Sequence, residues 1–150
     1  MTDVLAPCSG RVLALADVND PVFAAEMVGP GAAIEPAPVA ETVIAPVAGT
    51  IVKLHPHAFA MSTAEGFAIL VHLGINTVRL GGEGFELLVA EGAEVAAGDE
   101  LIRWNPGELS GENLYSTVMV VVLDRAGGSL GSPLVGQDVA RGSVLFSVDG

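Results

Sequence analysis

The chain is 150 residues long, 51% hydrophobic and 16% charged, with a formal net charge of −12 at pH 7. That length suits a single domain over residues 1–150, with a core large enough to need no disulfide or metal staple. A mean hydropathy of +0.58 raises the question of a membrane span, but the apolar residues are mostly Ala and Val and are scattered. No run reaches the roughly 18 to 20 residues a spanning helix needs. The densest, Val118 to Leu123, is strand-sized, so a span and direct membrane insertion are excluded. Lys53 is the only lysine, joined by five arginines against 18 carboxylates. Such a balance repels phosphate backbones and excludes nucleic-acid binding by a basic patch; it draws in a basic protein partner.

At the N-terminus, Met1-Thr2-Asp3-Val4 has no basic segment followed by an apolar one, so no signal peptide is expected. Cys8 is the lone cysteine and can form no intrachain disulfide, which leads to the expectation of a reducing cytoplasm. Along the chain, Gly and Pro recur at short intervals between runs rich in Val, Ile and Leu. The spacing predicts strands at Arg11 to Leu15, Thr50 to Leu54, Phe67 to Leu73, Thr77 to Leu80, Leu101 to Trp104 and Val118 to Leu123. Glu83 to Glu91 and Pro106 to Asn113 are each expected to form a turn or two of helix, while prolines exclude long helices from the first half.

Two internal repeats refine the β reading. Ala6-Pro7-x-x-Gly10-x-Val12-x-x-Leu15 matches Ala45-Pro46-x-x-Gly49-x-Ile51-x-x-Leu54. Gly92-x-x-Val95-x-x-Gly98-x-x-Leu101 matches Gly136-x-x-Val139-x-x-Gly142-x-x-Leu145. In each, Gly or Pro opens a turn and a branched residue follows into the core. The copies are few and unequally spaced, which excludes a solenoid. The expected fold is all-β, an antiparallel sandwich or barrel of the duplicated barrel-sandwich hybrid type with short helical turns.

Few residues offer chemistry. No Gly-rich loop followed by Lys-Ser/Thr is present, and Gly29-Pro30-Gly31 and Gly81-Gly82-x-Gly84 read as turns. Lys53 lies inside a strand-like run, not at the exposed hairpin tip that a biotin or lipoyl carrier requires. Cys8, in Ala-Pro-Cys-Ser-Gly, has no base beside it in sequence. The histidines remain. His72 sits in Ala68-Ile69-Leu70-Val71-His72-Leu73-Gly74; as a strand this places Phe67, Ile69, Val71 and Leu73 on one face and Ala68, Leu70, His72 and Gly74 on the other. A core histidine bonded to backbone is the plainer reading. His57, in His55-Pro56-His57-Ala58-Phe59, falls in a loop. Brought together, one of the two serves as nucleophile and the other as hydrogen-bond donor.

Several stretches are similar to the enzyme IIA domains of the glucose family of the bacterial phosphoenolpyruvate-dependent sugar phosphotransferase system. They are Ala6-Pro7-x-x-Gly10, Asp20-Pro21-Val22-Phe23-Ala24, Val28-Gly29-x-Gly31-x-Ala33-Ile34-x-Pro36, Ala45-Pro46-x-x-Gly49-Thr50-Ile51, His57-Ala58-Phe59, Val71-His72-Leu73-Gly74-Ile75-x-Thr77-Val78-x-Leu80, Gly82-Glu83-Gly84-Phe85 and Gly92-x-x-Val95-x-x-Gly98-Asp99. Order and spacing hold over residues 4 to 123, and the match loosens from Asp124.

This resemblance implies that His72 is phosphorylated by the phosphocarrier protein HPr and hands the group to a cysteine on the IIB domain of a sugar permease. It implies that His57 hydrogen-bonds the phosphoryl group, that Val22, Phe23, Met27 and Phe59 ring the site, and that Asp20 and Asn76 meet partners. No cofactor and no metal are implied. The chain departs from the family pattern at Asn76, where many members carry Asp, and in a shorter loop, Leu54-His55-Pro56-His57, that lacks their Thr and offers His55 instead. Two alternatives stand beside this expectation: a zinc hydrolase using His55, His57 and His72 on a related β fold, and a regulatory relative that binds partners through the same face without transferring phosphate.

Overall fold

Why the short apolar runs become strands is visible in their pairing. The computed structural model describes residues 1–149. In chain order the elements are β1 (Thr2–Leu5), β2 (Gly10–Leu13), a 3-10 turn at Leu15–Asp17, α1 (Pro21–Ala24), β3 (Gly31–Pro36), β4 (Glu41–Ile44), β5 (Gly49–His55), β6 (Ala58–Ser62) and β7 (Ala68–Ile75). A second 3-10 turn at Thr77–Leu80 leads to β8 (Phe85–Leu87), β9 (Glu94–Val95), β10 (Glu100–Trp104), a third such turn at Pro106–Glu108, β11 (Tyr115–Val122), β12 (Asp138–Val139) and β13 (Val144–Val148). One sheet runs β12-β2-β3-β11-β7-β6-β5-β9, a second β4-β10-β8, and a third pairs β1 with β13. Every pairing is antiparallel. The fold is the all-β sandwich expected from the sequence.

The core lies between the layers. Ile34, Ile51, Met61, Ile69, Val71, Val118 and Val120 from the large sheet pack with Val43, Leu101 and Ile102 of the second and Val4, Phe146 and Val148 of the third. A smaller cluster forms on the other face of the large sheet, where Ala33, Met119 and Val121 are covered by Leu15, Val18 and Phe23 from the segment joining β2 to β3. The period of two in β7 accounts for both: Ile69, Val71 and Leu73 face the main core, and Leu70 faces the smaller cluster.

The sequence repeats are structural repeats. The Gly142 amide donates to the Ala6 carbonyl and the Gly98 amide to that of Ala45, both at 2.9 Å. Gly136 and Gly92 likewise donate to Val12 and Ile51, at 2.9 and 2.7 Å. The pairs Val139↔Gly10 and Val95↔Gly49 repeat the register. A Cβ at Gly10 would lie 2.1 Å from the Glu35 carbonyl oxygen, and one at Gly49 would lie 2.0 Å from that of Ser62, so both sites admit only glycine. The segment beyond Asp124 therefore completes the duplicated framework despite its looser sequence match.

Two local expectations are corrected and a third is met by a single turn. Thr77–Leu80 is a 3-10 turn, not a strand, because left-handed backbone at Gly74 (φ +84°) and Asn76 (φ +64°) turns the chain off the sheet. Glu83 to Glu91 is no helix: the left-handed Gly84 (φ +88°) precedes β8, which pairs with β10. Pro106 to Asn113 holds a single 3-10 turn, opened by Asn105 Oδ1 accepting from the Gly107 amide and followed by left-handed Asn113 (φ +62°).

Candidate active site

His72 stands in β7 between β6 and β11, paired with Ala58 on one side and Met119 on the other. Its ring projects from the face that carries the smaller apolar cluster. His57 reaches the same place from the turn between β5 and β6, where Pro56 fixes a tight reversal. The Leu73 amide donates to the His57 carbonyl at 2.7 Å and ties that turn to β7. The two imidazole centroids are 5.1 Å apart with the rings inclined at 70°. Phe23 closes a third side, 5.4 Å from the His72 ring.

One hydrogen bond sets the chemistry of His72. Its Nδ1 lies 2.6 Å from the Gly74 carbonyl oxygen. A carbonyl can only accept, so Nδ1 carries the proton and the Nε2 lone pair is left free. Gly74 makes this possible. With φ of +84° it turns its own carbonyl back toward the ring, and a Cβ there would lie 2.4 Å from Thr77 Cγ2 and 2.7 Å from the Tyr115 oxygen. Burial lowers the His72 pKa from its ordinary 6.5, with the Gly74 hydrogen bond and the Asp20 charge opposing. Burial also lowers that of His57, helped by the positive charges that His72 and His55 would bring. Both imidazoles therefore favour the neutral form at pH 7, and a neutral imidazole offers a nitrogen lone pair without needing a base.

The residues around the pair divide into frame and rim. Asp20 is the N-cap of α1: its Oδ1 accepts from the amides of Val22 at 2.9 Å and Phe23 at 3.3 Å, with Pro21 in the first turn. That cap places Phe23 inward and leaves Val22 44% and Met27 75% exposed. Phe59 does not belong to the rim. It alternates with Ala58 in β6, pairs with Val71 and is 1% exposed within the main core, because its strand parity points it away from the His72 face. Asn76 is on the surface after β7, its amide donating to the Asn113 carbonyl at 2.8 Å. His55 stacks on His57 with centroids 5.8 Å apart.

Residues outside the expected set also shape the site. Ala58 and the buried Met119 flank His72 across the sheet. Strand pairing, which the sequence alone does not specify, is what brings Met119 there. Cys8 is buried, and burial together with the Glu41 and Glu35 charges pushes its thiol well above the ordinary thiol range, so it is inert.

Fold and site together define a duplicated β sandwich built around a facing pair of histidines, one of them held with Nε2 free. The chain belongs to the phosphoenolpyruvate-dependent sugar phosphotransferase system EIIA 1 family, whose model matches residues 2–127. It is 43% identical over 122 residues to the glucose-specific EIIA component of Bacillus cereus, covering 80% of this chain and 72% of that protein. It is 40% identical over 124 residues to the glucose-specific EIIBCA component of Corynebacterium glutamicum, where the match takes in 81% of this chain but 18% of the longer relative. Among solved structures it is similar to glucose permease IIA from Mycoplasma capricolum, with a TM-score of 0.79 and 34% identity over 96% of this chain and 93% of that one. The chain is thus a sugar phosphotransferase component of the IIA type, and the zinc-hydrolase alternative yields to that membership. Among the described residues no helix is long and apolar enough to cross a membrane.

Proposed function

We propose that the chain, acting in the cytoplasm as one IIA unit over residues 1–150, takes a phosphoryl group from phospho-HPr on His72 Nε2 and delivers it to the cysteine of a IIB domain. In the first step the Nε2 lone pair attacks phosphorus and a new P–N bond forms. The P–N bond of the donor phosphohistidine breaks, and its electron pair leaves on the donor imidazole. In the second step a IIB thiolate attacks the same phosphorus and His72 departs with the P–N pair. No water, metal or redox partner enters the balance. The observation that carries this reading is the hydrogen bond from His72 Nδ1 to Gly74 O, which commits one nitrogen and frees the other.

The environment supports the same reading. Phosphoryl transfer through a loose transition state asks for alignment and charge stabilisation more than covalent help. A phosphoryl group on Nε2 brings negative charge beside His57, which favours the donor form of that ring. Exposed Val22 and Met27 offer an apolar rim suited to brief docking, and the net charge of −12 favours encounter with a basic donor. The fused EIIBCA relatives speak for a IIB domain as the acceptor.

With phosphoenolpyruvate, enzyme I and HPr, the wild-type chain is expected to gain an acid-labile phosphoryl group and His72→Gln to gain none. Phosphorylation of the variant at the wild-type rate would overturn the assignment.

A further inference from the structure

We propose that Thr77 is a positioning residue for His72: it grips the Gly74 turn so that the turn's carbonyl holds the proton on Nδ1. The proposal rests on the reading of His72 as the phosphoryl acceptor. Thr77 is one of two buried polar side chains among the described residues, at 1% exposure. A buried hydroxyl needs a partner, and this one donates to the Leu73 carbonyl at 2.6 Å. Leu73 is the last residue of β7 to keep the alternating pattern, just where the ladder to β11 shifts register between Tyr115 and Val118. The bond closes residues 73–77 into a loop around Gly74. The Thr77 methyl fills the space beside the Gly74 Cα, where a Cβ would lie 2.4 Å away.

The opposite wall of the turn is built as firmly. Tyr115 O lies 2.7 Å from the same Cβ position, and the shifted segment of β11 is clamped by Glu35, which accepts from the Ser116 and Thr117 hydroxyls at 3.0 Å each. Thr77 and that segment thus pack against Gly74 from two sides, where its carbonyl lies 2.6 Å from His72 Nδ1. The other tautomer would set the Nδ1 lone pair against the carbonyl lone pairs and place a proton on the nucleophile. Thr77 touches neither the reacting atoms nor the ring; it acts through Leu73 and Gly74.

The test compares Thr77→Ser, Thr77→Ala and Thr77→Val by imidazole 15N NMR of the unphosphorylated chain, thermal melting, and the rate of phosphorylation by phospho-HPr. Thr77→Ala and Thr77→Val are expected to move the His72 signals toward a mixture of tautomers and to slow phosphorylation about fivefold, the size of one lost hydrogen bond. Thr77→Ser, which keeps the hydroxyl, is expected to retain the wild-type signals and rate. Lower melting temperatures with wild-type His72 signals in Thr77→Ala would overturn the proposal, leaving the residue structural only. If Thr77→Val fails to fold, Ala against Ser still decides, since those two differ only in the hydroxyl. The NMR comparison needs no phosphodonor: a wild-type chain that takes no phosphate would overturn the functional reading, and unchanged signals in Thr77→Ala would overturn the role of Thr77.

Discussion

Replacing Gly74 with Ala perturbs stability and chemistry through one methyl group. Gly74 has φ of +84°, and an L-residue held in that region costs about 1–3 kcal/mol. The added Cβ would sit 2.4 Å from Thr77 Cγ2 and 2.7 Å from Tyr115 O, one of them main chain that is itself fixed in the sheet. Relieving such overpacking typically costs a further ~1–3 kcal/mol. The sum is about 2–6 kcal/mol, which for a chain of this size lowers Tm by roughly 4–24 °C. The shift that relieves the contacts also draws the carbonyl away from His72 Nδ1, so phosphorylation by phospho-HPr should slow about fivefold or more. Calorimetry and a stopped phosphorylation time course at a temperature where the variant is folded separate the two effects. A Gly74→Ala chain with wild-type Tm and wild-type rate would refute both the steric argument and the tautomer argument.

Three further outcomes follow from the site. Burial lowers the pKa of both His72 and His57 from 6.5, so the rate of phosphoryl acceptance should reach half its maximum only below pH 6.5; a half-maximal point at or above 6.5 in the pH–rate profile would contradict this. The same depression makes the folded state disfavour the charged rings, so their share of stability is present above pH 6.5 and is lost as pH falls through the lowered values, a trend that denaturant titrations at several pH values would detect. His57→Gln should still accept phosphate but pass it on poorly, and an unimpaired transfer rate to IIB would remove His57 from its role. Met27→Asp, at an exposed position, should change stability by no more than about 0.5 kcal/mol while slowing exchange with partners; equal rates in both directions would take Met27 out of the docking rim.

Most of the fold was legible because both signals that specify it are local. Gly and Pro mark the turns, and the period of two marks the faces, which sets His72 opposite Ile69, Val71 and Leu73 whatever the pairing. The misses share a cause. Thr77 to Leu80 has strand composition, yet Gly74 and Asn76 leave the extended region, and composition carries no record of φ. Gly29 and Gly31 read as turn glycines, whereas Gly31 begins β3, where a Cβ would lie 2.0 Å from the Val120 carbonyl oxygen. Only the sheet shows that close approach. The resemblance puts Phe59 in the rim, but one residue along a strand reverses the face, and Phe59 follows Ala58 in β6. Met119 could not be found at all, since its place beside His72 depends on a pairing between segments far apart in the chain.

The duplication explains where the site is and why it occurs once. The large sheet is a palindrome of related strands, with β12, β2, β3 and β11 answering to β9, β5, β6 and β7, and its pseudo-twofold passes between β11 and β7. Following register outward from Gly10 and Gly49 makes Ser62 the counterpart of Glu35 and Met61 that of Ile34. Further along, Leu70 answers to Met119 and His72 to Val121. The two halves thus offer equivalent positions, and only one holds an imidazole. What differs is the connection. Between β5 and β6 the chain reverses at once through Pro56 and His57, which puts the second histidine at the sheet face. Between β2 and β3 it makes a long excursion that lays Leu15, Val18 and Phe23 over the face beside Val121. That excursion buries the second position and walls the first, leaving His72 at its open edge with Phe23 on one side and His57 on the other. A symmetric framework becomes a one-sided histidine site through unequal loops, so changes in chemistry or partner preference should concentrate in residues 14–30 and 55–58 while the paired glycines of the framework stay unchanged.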